Sequence, residues 1–314
     1  MMSEHDVSAP VLDFEQISLH REANDIGDDV LADIGREMKR ALQNFGFFYG
    51  KNHGISMESI SSLMASAADF FEEPEECKIR HLKGEKGEFG WVRMESEKSN
   101  PELAPDLKES FNYHPADERN GLLKAAFSGQ CKSVYSLCCE LSYRLTDALS
   151  IALGFEKGCL TEPYQNVGKK DNQTFLRSLI YPAIPLDRKI RPGQLRLGEH
   201  TDYGMVTFLF QDDVGGLDMD TPSKGYRPVS PIPGTIVVFV GIQIQRLTAD
   251  VLSAPKHRIV LSENETEARK RRQSLAFLVR ADDNFVVKCL DGSKKYQPVS
   301  SVDYLDGRQT EVIA

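Results

Sequence analysis

The sequence predicts an α+β fold in which a mainly helical N-terminal region, residues 1–155, packs against a C-terminal β core, residues 156–314. Long apolar patterns with a helical period precede residue 155. After Gly154, short β-branched or aromatic runs alternate with Pro, Gly and Asp or Asn turns, which is typical of a sandwich or barrel. No internal repeat or low-complexity linker separates the two halves, so we expect one compact unit.

Three stretches of the N-terminal half repeat apolar residues at helical spacing, so each has one apolar face that another element must cover. A short strand is expected before the first helix, and the aromatic run Phe47–Tyr49 suits a second strand. Residues 83–90, charged and rich in glycine, are expected to form a loop. The predicted helices cover 26–45, 57–71 and 125–155, and the first strand covers 10–14.

The C-terminal half carries six predicted strands, each a short β-branched or aromatic run bounded by turn residues. Their spacing is that of an all-β core rather than of alternating helices and strands. They cover 174–181, 205–211, 235–240, 257–261, 273–279 and 285–289.

The composition excludes several classes of protein. The chain of 314 residues has 38 basic and 47 acidic side chains, a net charge of −9 that repels nucleic acid and anionic lipid. Its six scattered cysteines indicate buried thiols, not a disulfide framework. The polar N-terminus has no apolar leader segment, so we expect a cytoplasmic protein. The expected partners are small molecules acting on a monomer, without nucleic acid or a membrane.

A possible metal site lies in the β half. His200 and Asp202 are two residues apart, so on an extended segment their side chains share a face. His257 opens a later apolar strand that could fold back beside them. Two histidines and one carboxylate form the facial triad of non-haem Fe(II) oxygenases. Taken singly, His200 and Asp202 could instead mark an exposed turn, and His257 could be an ordinary core histidine.

A candidate anion site follows on the next predicted strand. Arg272 and Ser274 share a strand face and offer a guanidinium and a hydroxyl to one carboxylate. The basic run 269–272 could otherwise be a targeting or nucleic-acid patch. The acidic chain and the apolar strand that follows argue against that interpretation, although 269–271 could be a solvated turn.

These elements, in this order, resemble the isopenicillin N synthase-like family of Fe(II)/2-oxoglutarate-dependent dioxygenases. The resemblance covers nearly the whole chain and is most specific at His200–Gly204. One departure is residues 239–242, where many relatives carry Asn-x-Gly-Asp, and it argues against a standard plant hormone or flavonoid substrate. The runs that carry the resemblance are 46–49, 52–55, 70–71 with 74–76, 108–111, 176–177 with 181–182, 200–204 with 207, 211–212, 216–217, 245–247, 257–258 and 272–274.

The resemblance implies a double-stranded β-helix, or jelly roll, with His200, Asp202 and His257 as catalytic Fe(II) ligands. It implies that Arg272 and Ser274 bind the distal carboxylate of 2-oxoglutarate and that Tyr181 donates a further hydrogen bond. His53 then belongs to the fold, not to the metal site. Candidate substrate contacts are Phe89, Trp91, Arg93, Lys108, Phe111, Tyr113 and Tyr203.

The implied function is oxidation of a small, specialised metabolite by hydroxylation, desaturation or cyclisation, with Fe(II) as cofactor, 2-oxoglutarate and O₂ as co-substrates and ascorbate as a stimulant. Succinate and CO₂ are the expected co-products. Two alternatives remain. An Fe(II) oxidase could bind its substrate's own carboxylate at Arg272 and Ser274 without 2-oxoglutarate. A non-catalytic small-molecule-binding protein could use the same fold.

Overall fold

A computed structural model describes residues 9–84, 89–99, 104–185, 187, 189, 191, 194–222, 224–261 and 270–313. Its α-helices are α1 (Asp28–Phe45), α2 (Met57–Phe71), α3 (Glu75–Lys78), α4 (Ala125–Ala152), α5 (Ile242–Leu247) and α6 (Ser301–Ile313). Its strands are β1 (Val11–Asp13), β2 (Phe47–Lys51), β3 (Gly90–Val92), β4 (Glu109–Tyr113), β5 (Phe175–Tyr181), β6 (Leu197–His200), β7 (Val206–Gln211), β8 (Leu217–Thr221), β9 (Gly225–Pro228), β10 (Thr235–Val240), β11 (His257–Ile259), β12 (Arg272–Leu278), β13 (Val286–Val287) and β14 (Val299–Ser300).

Two sheets form the β core. The major sheet has eight strands in the order β1-β2-β10-β7-β12-β5-β4-β3, and the minor sheet has four in the order β6-β11-β8-β9. One apolar cluster joins their facing sides, for example Tyr49, Leu209 and Val237 of the major sheet with Met219 and Ile259 of the minor sheet. This arrangement is the predicted jelly roll. Because β1 to β4 lie in the major sheet, the two halves of the sequence share one sheet.

The outer face of the major sheet is covered by helices, as the apolar faces of the N-terminal patterns require. Strand residues alternate between the two faces, so Phe47 joins the cluster inside the barrel while Phe48 joins the core beneath the helices. Helices α1 and α4 approach closely at Gly35, where an added Cβ would lie 2.2 Å from the carbonyl oxygen of Ala148.

Most elements follow their sequence patterns to within two or three residues. The long helix α4 ends at Ala152 rather than 155, and Gly154 turns the chain with a φ of +86°. The run 285–289 forms only a two-residue strand. The sequence patterns missed helices α3, α5 and α6 and strand β14. They also missed β3 and β4, which extend the major sheet beyond β5, and β6, β8 and β9 of the minor sheet. Among the described residues, no helix is long and apolar enough to cross a membrane.

Two histidines of the N-terminal half serve the fold. His53 and His114 are buried, and the Nδ1 atom of each accepts a hydrogen bond from the backbone N–H two residues later, at 3.1 Å. Burial lowers the pKa of each imidazole to about 4. In the folded protein both rings therefore stay neutral at about pH 6.5, the pH at which a histidine of the unfolded chain takes up a proton.

We expect the free energy of unfolding to fall as the pH drops from about 6.5 towards 4. The unfolded state binds protons in that window and the folded state does not, which costs at most about 3 kcal/mol per histidine. His53→Asn should flatten this dependence, because the asparagine side-chain oxygen can accept the same backbone hydrogen bond without titrating. Urea unfolding at several pH values measures the effect, with exposed His20→Asn as the control. An unchanged slope in His53→Asn would contradict this account.

Candidate active site

Three side chains converge at one end of the minor sheet. His200 ends β6, His257 begins β11, and the two are directly paired in the antiparallel register, with ring centroids 4.2 Å apart. Asp202 follows two residues after His200. Its Oδ1 atom lies 3.7 Å from the Nε2 atom of each histidine, and one ligand atom from each of the three lies within 4.8 Å of the others. A single metal ion could contact all three.

Hydrogen bonds aim each side chain at this common point. The Nδ1 atom of His200 is 2.9 Å from the carbonyl oxygen of Gly198, and that of His257 is 3.3 Å from that of Pro255. A carbonyl oxygen only accepts, so Nδ1 carries the proton and Nε2 presents a lone pair. The hydroxyl of Thr207 donates to Oδ2 of Asp202 at 2.5 Å, which leaves Oδ1 facing the histidines.

The charge states suit a divalent cation. Burial, together with the neighbouring His200, lowers the pKa of His257 to about 4, and burial also lowers the pKa of His200. Burial alone would raise the pKa of Asp202, but His257, His200 and the Thr207 hydroxyl lower it below its usual value. Two neutral imidazoles and one carboxylate are the donor set of the Fe(II) facial triad, so these residues fit that ion.

The main chain around Asp202 is fixed by the start of helix α5. The backbone N–H groups of Ile242 and Gln243 donate to the carbonyl oxygens of Asp202 and Gly204, at 2.8 and 2.9 Å. The approach requires glycine, because a Cβ on Gly241 would lie 2.3 Å from the carbonyl oxygen of Gly204. The segment 239–242, a departure from the family pattern, thus positions the loop that carries Asp202.

Arg272 lies inside the barrel at the start of β12 and is fully buried. Its Nε donates to the carbonyl oxygen of Gly215 at 2.6 Å, its Nη2 to Oε1 of Gln211 at 3.0 Å and its Nη1 to Oγ of Ser274 at 3.2 Å. The guanidinium carbon lies 4.9 Å from the centre of the Tyr181 ring. Among the described residues these hydrogen-bond partners are all neutral groups.

Strands β5 and β12 present one inward face that links this arginine to the triad end of the barrel. Directly opposed residues of an antiparallel pair point to the same side, and Leu179, Tyr181 and Ala276 belong to the cluster inside the barrel. In order along the strands, the inward pairs are Tyr181/Arg272, Leu179/Ser274, Arg177/Ala276 and Phe175/Leu278.

A cavity of about 800 Å³ opens beside the triad and includes His200 and Asp202 in its wall. Of the predicted substrate contacts, four lie in its wall: Trp91, Arg93, Lys108 and Tyr203. The other three pack elsewhere in the described structure: Phe89 stacks on His114, Phe111 packs among Phe70 and Phe127, and Tyr113 packs on Tyr135.

The sequence reasoning overlooked further charged residues of the cavity wall, above all Lys83, Glu97, Arg177 and Arg280. The sequence did contain a pattern that places Arg177 near the site. It lies four residues before Tyr181 on a predicted strand, and strand alternation puts both on one face. The other three lie outside the predicted strands, where side-chain direction cannot be read from spacing.

Two family models and several curated proteins match this chain. Residues 9–128 match the model for the non-haem dioxygenase in morphine synthesis N-terminal region, and residues 170–281 match that for the 2OG-Fe(II) oxygenase superfamily. The chain is 30% identical over 268 residues to proline hydroxylase buaE of Petromyces alliaceus, covering 80% of this chain and 82% of that protein. It is 29% identical over 298 residues to the 2-oxoglutarate-Fe(II) type oxidoreductase ppzD of Metarhizium rileyi, covering 86% and 83%.

Solved structures show the same architecture. A full-length Neurospora crassa protein, crystallised in complex with alpha-KG, is 25% identical, with a TM-score of 0.79 over 96% of this chain and 95% of that one. JOX2 in complex with 2OG, Fe and JA is 22% identical, with a TM-score of 0.77 over 98% and 85%, a likeness of fold.

We expect Gly241→Ala to weaken metal binding at the triad. The added methyl group meets the backbone oxygens of Gly204 and Asp202, at 2.3 and 2.9 Å, so the loop that carries Asp202 must move. Supporting hydrogen bonds of a ligand typically change metal affinity roughly 10- to 100-fold, and we expect a loss in that range. Titration of Mn(II) followed by electron paramagnetic resonance measures it.

The matched control is Gly129→Ala in helix α4, where an added Cβ has no neighbour within 4 Å. This variant should keep its Mn(II) affinity and gain slightly in thermal stability, since alanine favours a helix. Equal Mn(II) affinity in Gly241→Ala and the wild-type protein would show that the contact with α5 does not position Asp202.

Proposed function

The chain belongs to the 2OG-Fe(II) oxygenase superfamily, and from that premise we propose that His200, Asp202 and His257 are the Fe(II) ligands of an enzyme that oxidises a small molecule. The converging Nε2 and Oδ1 atoms support this assignment. Bound Fe(II) would supply the redox chemistry that couples reduction of O₂ and decarboxylation of 2-oxoglutarate to substrate oxidation. A set of three protein ligands would leave further coordination positions open on the ion.

We propose that Arg272, Ser274 and Tyr181 bind the distal carboxylate of 2-oxoglutarate. The observation that carries this is a fully buried guanidinium whose described hydrogen-bond partners are all neutral. Asp212 lies near enough for Arg272 to lower its pKa, but no described carboxylate hydrogen-bonds to the guanidinium. A ligand carboxylate would supply charge-assisted hydrogen bonds there. Gly215 and Gln211 fix Nε and Nη2 of the guanidinium, and Nη1 donates to the Ser274 hydroxyl, so the arginine and the serine are held side by side.

Other residues orient the candidate metal ligands and exclude water. Thr207 keeps Oδ1 of Asp202 turned towards the histidines, and the carbonyls of Gly198 and Pro255 keep their Nε2 atoms unprotonated. The apolar barrel interior excludes water from the Arg272 end. The cavity beside His200 and Asp202 then gives a substrate access to the triad.

The two alternatives are less well supported. An oxidase without 2-oxoglutarate would need one substrate that extends from Arg272 to the cavity beside the triad, about four residues of strand away. A non-catalytic binding protein needs neither the three convergent ligand atoms nor the hydrogen bonds that orient them.

We further propose that the protein works as a monomer in the cytoplasm and is stimulated by ascorbate. All six cysteines are free thiols, as a reducing compartment would keep them. The exposed large apolar side chains of the described residues are scattered along the chain from Val11 to Val286. Sedimentation velocity at micromolar concentration checks the oligomeric state.

His200→Ala should abolish succinate formation. Removing one of three ligands breaks the metal site, so activity with Fe(II), 2-oxoglutarate, ascorbate and O₂ should fall at least about 10³-fold in a metabolite screen. Iron chelation should have the same effect on the wild-type protein and be reversed by added Fe(II). Mass spectrometry of the product distinguishes the gain of an oxygen atom from the loss of two hydrogens. Succinate release that persists in His200→Ala would refute the ligand assignment.

Arg272→Gln should weaken 2-oxoglutarate binding by roughly 10²-fold, because a charge-assisted bidentate contact is lost. Anaerobic titration of the Fe(II) protein with 2-oxoglutarate measures this through the visible charge-transfer band of the chelate. Arg258→Gln is the control, since Arg258 pairs with Asp218 outside the cavity wall. If the wild-type protein gives no such band, the oxidase alternative is favoured instead.

A further inference from the structure

We propose that the cavity beside the triad selects a small substrate that carries a carboxylate, and that Arg177 binds this group. The inference rests on the proposed function, because it concerns the substrate of the same site. The starting point is charge. The described wall of the cavity contains six cationic side chains, Lys83, Arg93, Lys98, Lys108, Arg177 and Arg280, against three carboxylates, Glu95, Glu97 and Asp202.

This excess of positive charge opposes the rest of the molecule, whose net charge is −9. Asp202 is further committed to the metal in the proposed function, and a bound divalent cation adds two positive charges. 2-Oxoglutarate brings only two negative ones. The cavity therefore stays cationic when both are bound, which favours an anionic substrate over a neutral or cationic one.

Three cations of the wall already have a partner. Arg93 pairs with Glu75, which lies outside the wall, at 3.1 Å. Glu97 accepts from Nζ of Lys108 at 2.7 Å through Oε2 and from Nζ of Lys83 at 3.0 Å through Oε1. Although burial opposes its ionisation, Lys108, Arg177 and Lys83 hold the pKa of Glu97 well below its usual value. Both oxygens of this carboxylate are thus engaged by lysines. The hydrogen bond described for Arg177 goes to a neutral acceptor, Oδ1 of Asn112, at 2.8 Å.

The guanidinium of Arg177 is held rigidly. It lies 5.1 Å from the centre of the Phe175 ring, and the guanidinium of Arg280 lies 4.8 Å from the same centre. Phe175 is fully buried and cannot shift easily. The Phe175 ring covers one face of the Arg177 guanidinium, and Nε donates to Asn112. The edge formed by Nη1 and Nη2 therefore remains to bind a planar anion. A carboxylate matches that edge with two parallel hydrogen bonds.

The position of Arg177 separates this anion site from that of 2-oxoglutarate. Arg177 and Arg272 lie on the same inward face of the β5/β12 pair, with the Leu179/Ser274 pair between them. Four residues of strand correspond to roughly 13 Å. Arg177 also shares the cavity wall with His200 and Asp202. A carboxylate bound there would therefore hold a substrate on the open side of the triad.

The rest of the wall indicates what accompanies the carboxylate. Apolar side chains occupy much of it, and Trp91 contributes the largest ring. A cavity of about 800 Å³ accommodates a drug-sized molecule. The substrate class is thus a carboxylic acid with an apolar or aromatic body. The apolar wall residues are Leu82, Trp91, Val92, Phe175, Leu197 and Leu278.

The test compares acids with their own primary amides: phenylacetate, 3-phenylpropanoate, 4-phenylbutanoate and octanoate. The protein is loaded with Mn(II) and saturating 2-oxoglutarate, so that Arg272 is occupied and no turnover occurs. Trp91 is the only tryptophan of the chain and lies in the cavity wall, so its fluorescence reports binding. At least one acid should bind tenfold or more tightly than its amide.

Arg177→Gln should weaken binding of that acid roughly tenfold and leave the amide unchanged. Arg177→Lys keeps the positive charge but loses the two parallel N–H donors of the guanidinium. Its affinity for the acid should therefore lie between those of the wild-type protein and Arg177→Gln. The matched control is Arg246→Gln, because Arg246 stacks on an aromatic ring, that of Tyr296, outside the cavity wall. It should preserve the preference for the acid. Thermal melts of all variants verify folding.

The proposal is overturned if no acid of the set binds more tightly than its amide, or if Arg177→Gln weakens both equally. Failure of the proposed function looks different. In that case 2-oxoglutarate produces no charge-transfer band with the Fe(II) protein, whatever the acids do. The acid and amide titrations are also repeated on metal-free protein, where the preference for the acid should persist because Arg177 acts without the metal.

Discussion

The site depends on one cross-strand pair, His257 opposite His200 in the antiparallel pairing of β11 with β6. Opposed residues share a face of the sheet, so this register alone brings two imidazoles together. A slip of one residue would turn one ring to the other face. Asp202 completes the group because helix α5 binds the backbone of its loop. The candidate metal site is therefore a product of sheet register and one helix terminus, with side-chain hydrogen bonds setting only the final orientation.

Few polar side chains point into the barrel interior. Most inward residues of β5 and β12 and their neighbours are apolar, and the cations at Arg272 and Arg177 interrupt that surface at two separate levels. Each cation is fixed by neutral acceptors and an aromatic ring. At Arg272, which is fully buried, such fixed donors make electrostatic contacts with a ligand stronger than they would be in water. Arg177 is partly buried and lies in the wall of the cavity. The same strand pair thus carries two candidate carboxylate sites, four residues apart along each strand.

The sequence predicted the parts of this structure that local spacing encodes. Helices α1, α2 and α4 and most strands of the major sheet follow from apolar periodicity and turn residues, whereas the jelly roll was implied by the family resemblance. The candidate metal site was found because His200 and Asp202 are two residues apart and His257 opens a later strand. Strand β4 was missed because polar residues interrupt it. Glu109 pairs with Lys78 at 2.6 Å, and Asn112 accepts from Arg177, so their burial depends on residues remote in sequence. The predicted set of cavity-wall residues was incomplete for a similar reason. Lys83 and Glu97 lie in loops, so sequence spacing does not show which way their side chains point.

The shared major sheet has a consequence for synthesis. Strand β2 is buried between β1 and β10, and its Phe48 is paired with Val238. A growing chain that emerges N-terminus first must therefore wait for most of its length before β2 finds that neighbour. Until then, an apolar strand edge stays open to other chains and to chaperones. The candidate ligand His257 follows β10 in the chain, so iron can be captured by all three side chains only after nearly the whole sheet has been made.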